Sequence, residues 1–83
     1  MKSKSYYVYI VKCSDGSLYT GISNNVEKRI EVHNNGKGAK YTRGRLPVKL
    51  VYKKRFSSKN KALSREFEIK KMTRQEKEKL TQQ

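Results

Sequence analysis

Residues Tyr6 to Cys13 (YYVYIVKC), the turn Ser14-Asp15-Gly16, and Ser17 to Ile22 (SLYTGI) form the stretch whose reading decides the fold. Aromatic and β-branched residues fill both runs, which marks them as strands. Asp15-Gly16 between them is turn chemistry, so the pair reads as a hairpin. Loop length then sets which side chains share a face. A two-residue turn pairs Ser14 with Ser17 and sends Tyr9 and Tyr19 to opposite faces. A three-residue loop, with Gly16 in the left-handed conformation, pairs Cys13 with Ser17, Val11 with Tyr19 and Tyr9 with Gly21. Tyr7, Tyr9, Val11 and Tyr19 then share one face, and Val8, Ile10, Leu18 and Ile22 the other. The second arrangement separates an aliphatic face from a tyrosine-rich one. Register follows the burial of a consistent face, so the three-residue loop is predicted.

Downstream, Asn24 or Asn25 caps a first helix that carries Glu27 in its first turn and runs to about Asn34, where Asn35-Gly36 stops it. Val26, Arg29, Ile30 and His33 fall on one arc of this helix; Glu27, Lys28 and Glu31 face away. Gly36 to Pro47 (GKGAKYTRGRLP) reads as a basic loop too rich in glycine for a stable helix. Val48 to Phe56 (VKLVYKKRF) reads as a third strand with Leu50, Tyr52 and Lys54 on one face and Val51, Lys53 and Arg55 on the other. Ser57 or Ser58 caps a second helix from Lys59 to about Met72. Thr73 with Glu76 three residues on is a capping box, opening a last helix from Arg74 to about Leu80.

The 83 residues are expected to make one domain, 1–83, with its core at about 6–72. A chain of this length buries only ~60–65% of its unfolded surface, so a site must sit on the surface of a single core. There are 21 Lys+Arg against 7 Asp+Glu, a net charge of +14. That charge repels itself and calls for a polyanionic partner, of which nucleic acid is the usual one. An anionic membrane surface is the rival, but it asks for a basic helix with bulky apolar residues opposite. After Met72 the last helix has only Leu80. Six Tyr, two Phe and clear periodicity argue against a disordered chain. One Cys and one His exclude an internal disulfide and a zinc cluster. The start, Met1 to Ser5, leads into no apolar segment suited to a secretory leader. The expectation is a reduced cytoplasmic, nucleoid-associated monomer with no membrane partner.

Glu66 is the most informative residue. With Ala62 at 0°, Leu63 lies at about 100°, Phe67 at about 140°, Ile69 at about −20° and Glu66 at about 40°. This reading sets a carboxylate inside an apolar arc, which is costly without a cation. Either it forms a salt bridge with Arg29 or a lysine, or it faces a cleft as a metal ligand, since one carboxylate plus water and phosphate commonly holds Mg²⁺. Arg29 and His33 neighbour each other at i,i+4. Alone they read as a snorkelling cation and a half-exposed imidazole; beside a tyrosine face and an inward Glu they read as a site. Tyr9 and Tyr19 are either sheet aromatics or a pair whose hydroxyls reach a phosphate. Lys37, Lys40, Tyr41, Arg43 and Arg45 read as a clamp on a nucleic-acid backbone, against the plainer reading of a solvated loop.

Tyr7-Val8-Tyr9, followed ten residues later by Tyr19-Thr20-Gly21, resembles the GIY…YIG signature of the GIY-YIG nuclease superfamily. Arg29 and His33 fall where that family's Arg-x-x-x-His/Tyr helix stands, and Glu66 where its metal-binding Glu stands. The run GAKYTRGRLPVKLVY is similar to the small single-domain bacterial branch, whose core is like the nuclease domain of the repair excinuclease. Tyr7 replaces the first Gly and Thr20 the middle Ile. Ile22 stands where some members have a Lys, and no Asn follows Glu66. The resemblance implies an α+β fold, a three-stranded antiparallel sheet flanked by helices. It implies hydrolysis of DNA phosphodiesters with one Mg²⁺ or Mn²⁺ on Glu66, in repair or recombination. Tyr19 would be general base or orient the attacking water, Tyr9 and His33 would assist proton transfer or hold the nucleophile, and Arg29 would stabilise the transition-state phosphate. RNA stays open as a substrate. The alternative is a nucleic-acid-binding module, or an adaptor to a larger repair protein, that keeps the fold without turnover.

Overall fold

The computed structural model describes residues 5–82; residues 1–4, on which the expectation about a secretory leader falls, and residue 83 lie outside them. The elements run β1 (Tyr6–Lys12), β2 (Leu18–Ser23), α1 (Val26–Asn34), α2 (Lys40–Arg43), β3 (Lys49–Phe56), α3 (Lys59–Lys70) and α4 (Arg74–Thr81). The three strands form one antiparallel sheet in the order β2-β1-β3. No described helix is long and apolar enough to cross a membrane.

The hairpin has the three-residue loop. The Cys13 amide bonds to the Ser17 carbonyl and the Gly16 amide to the Cys13 carbonyl. Gly16 has φ +86°, a left-handed conformation that favours glycine. Tyr9 therefore lies opposite Gly21, and Val11 opposite Tyr19. The two faces bury two cores. Tyr9, Val11 and Cys13 meet Val26 of α1 and Val48, while Val8 and Ile10 meet Ala62 and Ile69 of α3. The central strand is buried on both sides.

Helix boundaries follow local chemistry. Asn25 caps α1 by accepting from the Lys28 amide, and Gly36 at φ +77° ends it. Ser58 caps α3, and Thr73 and Glu76 close the capping box of α4.

Three expectations need correction. The face assignment in β3 fails because β1 and β3 pair through a bulge: Ile10 faces Tyr52 but Val11 faces Leu50, leaving Val51 as the extra residue. Leu50 packs with the tyrosine-side core, Val51 and Tyr52 with the aliphatic one. The basic loop holds a helical turn, α2, because its glycines stand outside that turn and Thr42 bonds back to Ala39 through both amide and hydroxyl. On α3 the buried stripe is narrower than the apolar arc drawn from sequence. Ala62 and Ile69 are fully buried, but Leu63 is 40% and Phe67 61% exposed.

Candidate active site

The tyrosine face of the sheet and α1 hold the centre of the site. The Tyr9 hydroxyl lies 2.9 Å from His33 Nε2, and His33 Nδ1 lies 2.9 Å from Thr42 Oγ1. Thr42 already gives its hydroxyl proton to the Ala39 carbonyl. It therefore accepts from His33, which fixes the proton on Nδ1 and leaves Nε2 to accept from Tyr9. The result is a directed chain, Tyr9 to His33 to Thr42 to Ala39. Burial and the neighbouring Arg29 charge hold His33 below its ordinary 6.5, which keeps the imidazole neutral as that chain requires. Burial pushes the Tyr9 hydroxyl above 10.0; Arg29 beside it pulls the other way, and nearby Tyr19 and Glu66 add to the rise.

Two glycines make room for this chain. A Cβ at Gly21 would stand 2.6 Å from the Tyr9 hydroxyl, and one at Gly38 would run into the His33 ring. Gly21 is the last residue of the second sequence motif, and its absent side chain is what lets the Tyr9 ring lie across β2.

Tyr19 sits nearer the surface. Its ring meets His33 edge-on at 5.5 Å and stacks on Tyr41 at 5.9 Å, the planes 22° apart. The Arg45 guanidinium covers the Tyr41 ring at 4.0 Å and is tied to Asp15 and the Tyr41 carbonyl. A hollow of about 280 Å³ opens here, lined by Leu18, Tyr19, Thr20, Tyr41, Lys70 and Lys77. A larger concavity, about 500 Å³, follows Leu50 to Lys54 along β3 and is a strand-edge groove that none of these residues lines.

Glu66 comes from α3, which contacts both β1 and β2. Its side chain is 17% exposed and its Oε2 lies 3.2 Å from Lys70 Nζ, whose ammonium also stands 6.0 Å from the Tyr19 ring. Among the described residues no three His, Cys, Asp or Glu side chains gather as a metal cluster. The residues nevertheless fit one hard divalent cation held through a single carboxylate. A positive group already stands against that carboxylate, and water and phosphate oxygens commonly complete such a shell.

Tyr9, Tyr19 and His33 thus lie together, with Arg29 charge felt at Tyr9 and His33 and Glu66 joined to Tyr19 through Lys70, but not in the way the residues suggested. Tyr9 is 1% and His33 0% exposed, so the Tyr9 hydroxyl points inward to the imidazole, and His33 is no half-exposed helix edge. In the basic loop, Tyr41 lines the hollow and Arg45 covers its ring, while Lys37, Lys40 and Arg43 take no part in either and are exposed. Sequence reading missed Thr42, which carries no local signal nine residues from His33. The expected salt bridge of Glu66 to Arg29 or a lysine is present as a pair with a lysine, and that lysine is Lys70, at i,i+4.

The sheet, the strand-borne tyrosines, Arg29 and Glu66 define a GIY-YIG domain. A family model described as the GIY-YIG catalytic domain matches residues 5–79, and the chain belongs to that family. Within it, the chain is 68% identical over 71 residues to UPF0213 protein CPE1444 of Clostridium perfringens, covering 86% of this chain and 76% of that protein. It is 61% identical over 75 residues to UPF0213 protein SSP2268 of Staphylococcus saprophyticus, covering 90% and 92%. Its fold is similar to the solution NMR structure of UPF0213 protein BH0048 from Bacillus halodurans, at TM-score 0.61 and 50% identity over 94% of this chain and 83% of that one. The NMR structure of EF2693 from E. faecalis is also similar, at TM-score 0.63 and 41% identity over 92% and 81%.

Proposed function

We propose that the chain hydrolyses phosphodiester bonds of DNA, with one Mg²⁺ or Mn²⁺ held at Glu66, in repair or recombination. The observation that carries this reading is a mostly buried carboxylate, Glu66, paired with a lysine whose ammonium stands 6.0 Å from the Tyr19 ring. A divalent cation there would neutralise phosphate charge and make water a better nucleophile. Arg29 would hold a non-bridging phosphate oxygen as charge builds on it. Tyr9 stays protonated, because burial raises its pKa and its proton is committed to a neutral His33. The role of base, or of orienting the water, therefore falls to Tyr19 at the wall of the hollow. Tyr9, His33 and Thr42 act as a scaffold that keeps Arg29 and Tyr19 in place. Lys37, Lys40 and Arg43 would hold the backbone of the substrate.

One observation favours a second reading. The Glu66 carboxylate is already neutralised by Lys70, as suits a nucleic-acid-binding module that does not turn over. A cleavage panel decides between them: linear, flapped and branched DNA, plus RNA, each with Mg²⁺ and with Mn²⁺, for the parent and Glu66→Ala. The nuclease reading expects cleavage by the parent, none by the variant, and binding retained by both. Equal cleavage by the two proteins overturns it.

A further inference from the structure

Around α3, the apolar residues pass from a fully buried stripe, across the site flank, to a bare rim. With Ala62 at 0° and ~100° per residue, Ile69 lies at about −20°, Glu66 at about 40°, Lys70 at about 80°, Leu63 at about 100°, Phe67 at about 140° and Lys71 at about 180°. Ala62 and Ile69 are fully buried, and Glu66 is 17%, Leu63 40% and Phe67 61% exposed. Lys70 leans over the Tyr19 ring, so this flank of the helix is the one turned to the site. Leu63 and Phe67, four residues apart, are neighbours on it. Lys59 also falls on this flank, at about 60°. The Lys71 ammonium stands 4.3 Å from the Phe67 ring, while Arg65 and Glu68 pair with each other on the opposite flank.

Two exposed side chains are too little for a stable protein interface. At ~150–250 Å² for a large aromatic they fall far short of the ~800 Å² each partner contributes to one. An apolar ring among lysines, in a chain of net charge +14, fits a partner with flat apolar faces on an anionic backbone. Every nucleobase has such a face, but duplex stacking hides it.

We propose that Leu63 and Phe67 form a base-stacking platform at the rim of the site, so that the substrate carries an unpaired base beside the phosphate at Glu66. Flaps, single-stranded segments and branch points present that feature, and continuous duplex does not. This rests on the nucleic-acid reading above and names its substrate class.

The test measures binding by fluorescence anisotropy in a Glu66→Gln background, where nothing is cut. A labelled single strand, a flapped DNA and a blunt duplex are compared. The platform predicts preference for the single strand and the flap over the duplex. Phe67→Ala weakens binding to the first two by about tenfold, as loss of one stacked base does, and changes duplex binding by less than about twofold. Phe67→Trp restores the preference, and Leu63→Ala gives a smaller loss. Equal weakening on all three DNAs, or none, overturns the platform and leaves nucleic-acid binding standing. Failure of the Glu66→Gln protein with Leu63 and Phe67 intact to bind any DNA overturns the nucleic-acid reading, and the platform with it. A Phe67-dependent dimer in sedimentation overturns it in favour of a second copy of the chain.

Discussion

The hydroxyl of Tyr9 and Nε2 of His33 lie 2.9 Å apart, and both residues are closed off from solvent. A strand and a helix are joined by a hydrogen bond whose direction is set by Thr42, on a third element. Thr42→Val keeps the shape but leaves the Nδ1 proton without an acceptor. The expected loss of unfolding free energy is about 1–3 kcal/mol, read by urea denaturation. An unchanged midpoint would mean that Thr42 does not hold the imidazole.

His33 also sets a pH dependence. Its folded pKa lies below 6.5, so between those two values the unfolded chain binds more protons than the folded one. Stability is then fully present above pH 6.5 and falls as pH drops towards the folded pKa. Asp15 and Glu27, lowered from 3.8 and 4.5 first by their local hydrogen bonds, add a second decline in the same direction at lower pH. Melting temperature should fall from about pH 7 to about pH 5 in the parent and stay nearly level over that window in His33→Gln. Nitrogen NMR near neutral pH should show the Nδ1–H tautomer. A parent curve as level as the variant's would contradict a neutral buried imidazole.

Gly21→Ala drives a Cβ into the Tyr9 hydroxyl. Because the obstacle is a packed ring end inside the core, the expected cost is about 1–3 kcal/mol, with loss of any cleavage. Gly44→Ala is the matched control: nothing lies within 4 Å of its new Cβ, so thermal stability should hardly move.

Lys70 is paired with the Glu66 carboxylate, so on the proposed reading a cation there would have to displace it. The lysine side chain is about half exposed, so the pair is worth only ~0.2–1 kcal/mol. Lys70→Met should accordingly tighten Mn²⁺ binding by up to about fivefold by isothermal titration, and Glu66→Gln should abolish it. Weaker Mn²⁺ binding by Lys70→Met would show that the lysine does not occupy the cation's place.

Binding to DNA should weaken steeply with salt. With about five phosphates contacted, log affinity falls against log salt with a slope near −4 to −5. Removing Lys37, Lys40 or Arg43 singly should reduce that slope by about one. A flat response would remove nucleic acid as the partner.

Much of this was legible in the chain. The hairpin register followed from one glycine and the segregation of two faces, and the caps at Asn25, Ser58 and Thr73 follow local rules. What was not legible depends on tertiary partners. The bulge at Val51 exists because β3 must serve two cores at once, and an alternation pattern cannot show that. Helical angle gives direction but not depth, so Leu63 and Phe67 read as core when α3 rests on a narrower stripe. The inward turn of Tyr9 needed both His33 and the empty place at Gly21, residues far apart in sequence.

The bulge has one more effect. β3 is an outer strand of the sheet, and an outer strand with free backbone groups invites a neighbouring molecule to extend it. An extra residue in mid-strand twists that edge, and Lys49, Lys53, Lys54 and Arg55 arm it with like charge. Such an edge makes a poor template for self-association. A second copy adding a strand on the side of the sheet away from the hairpin would have to overcome both the twist and the charge.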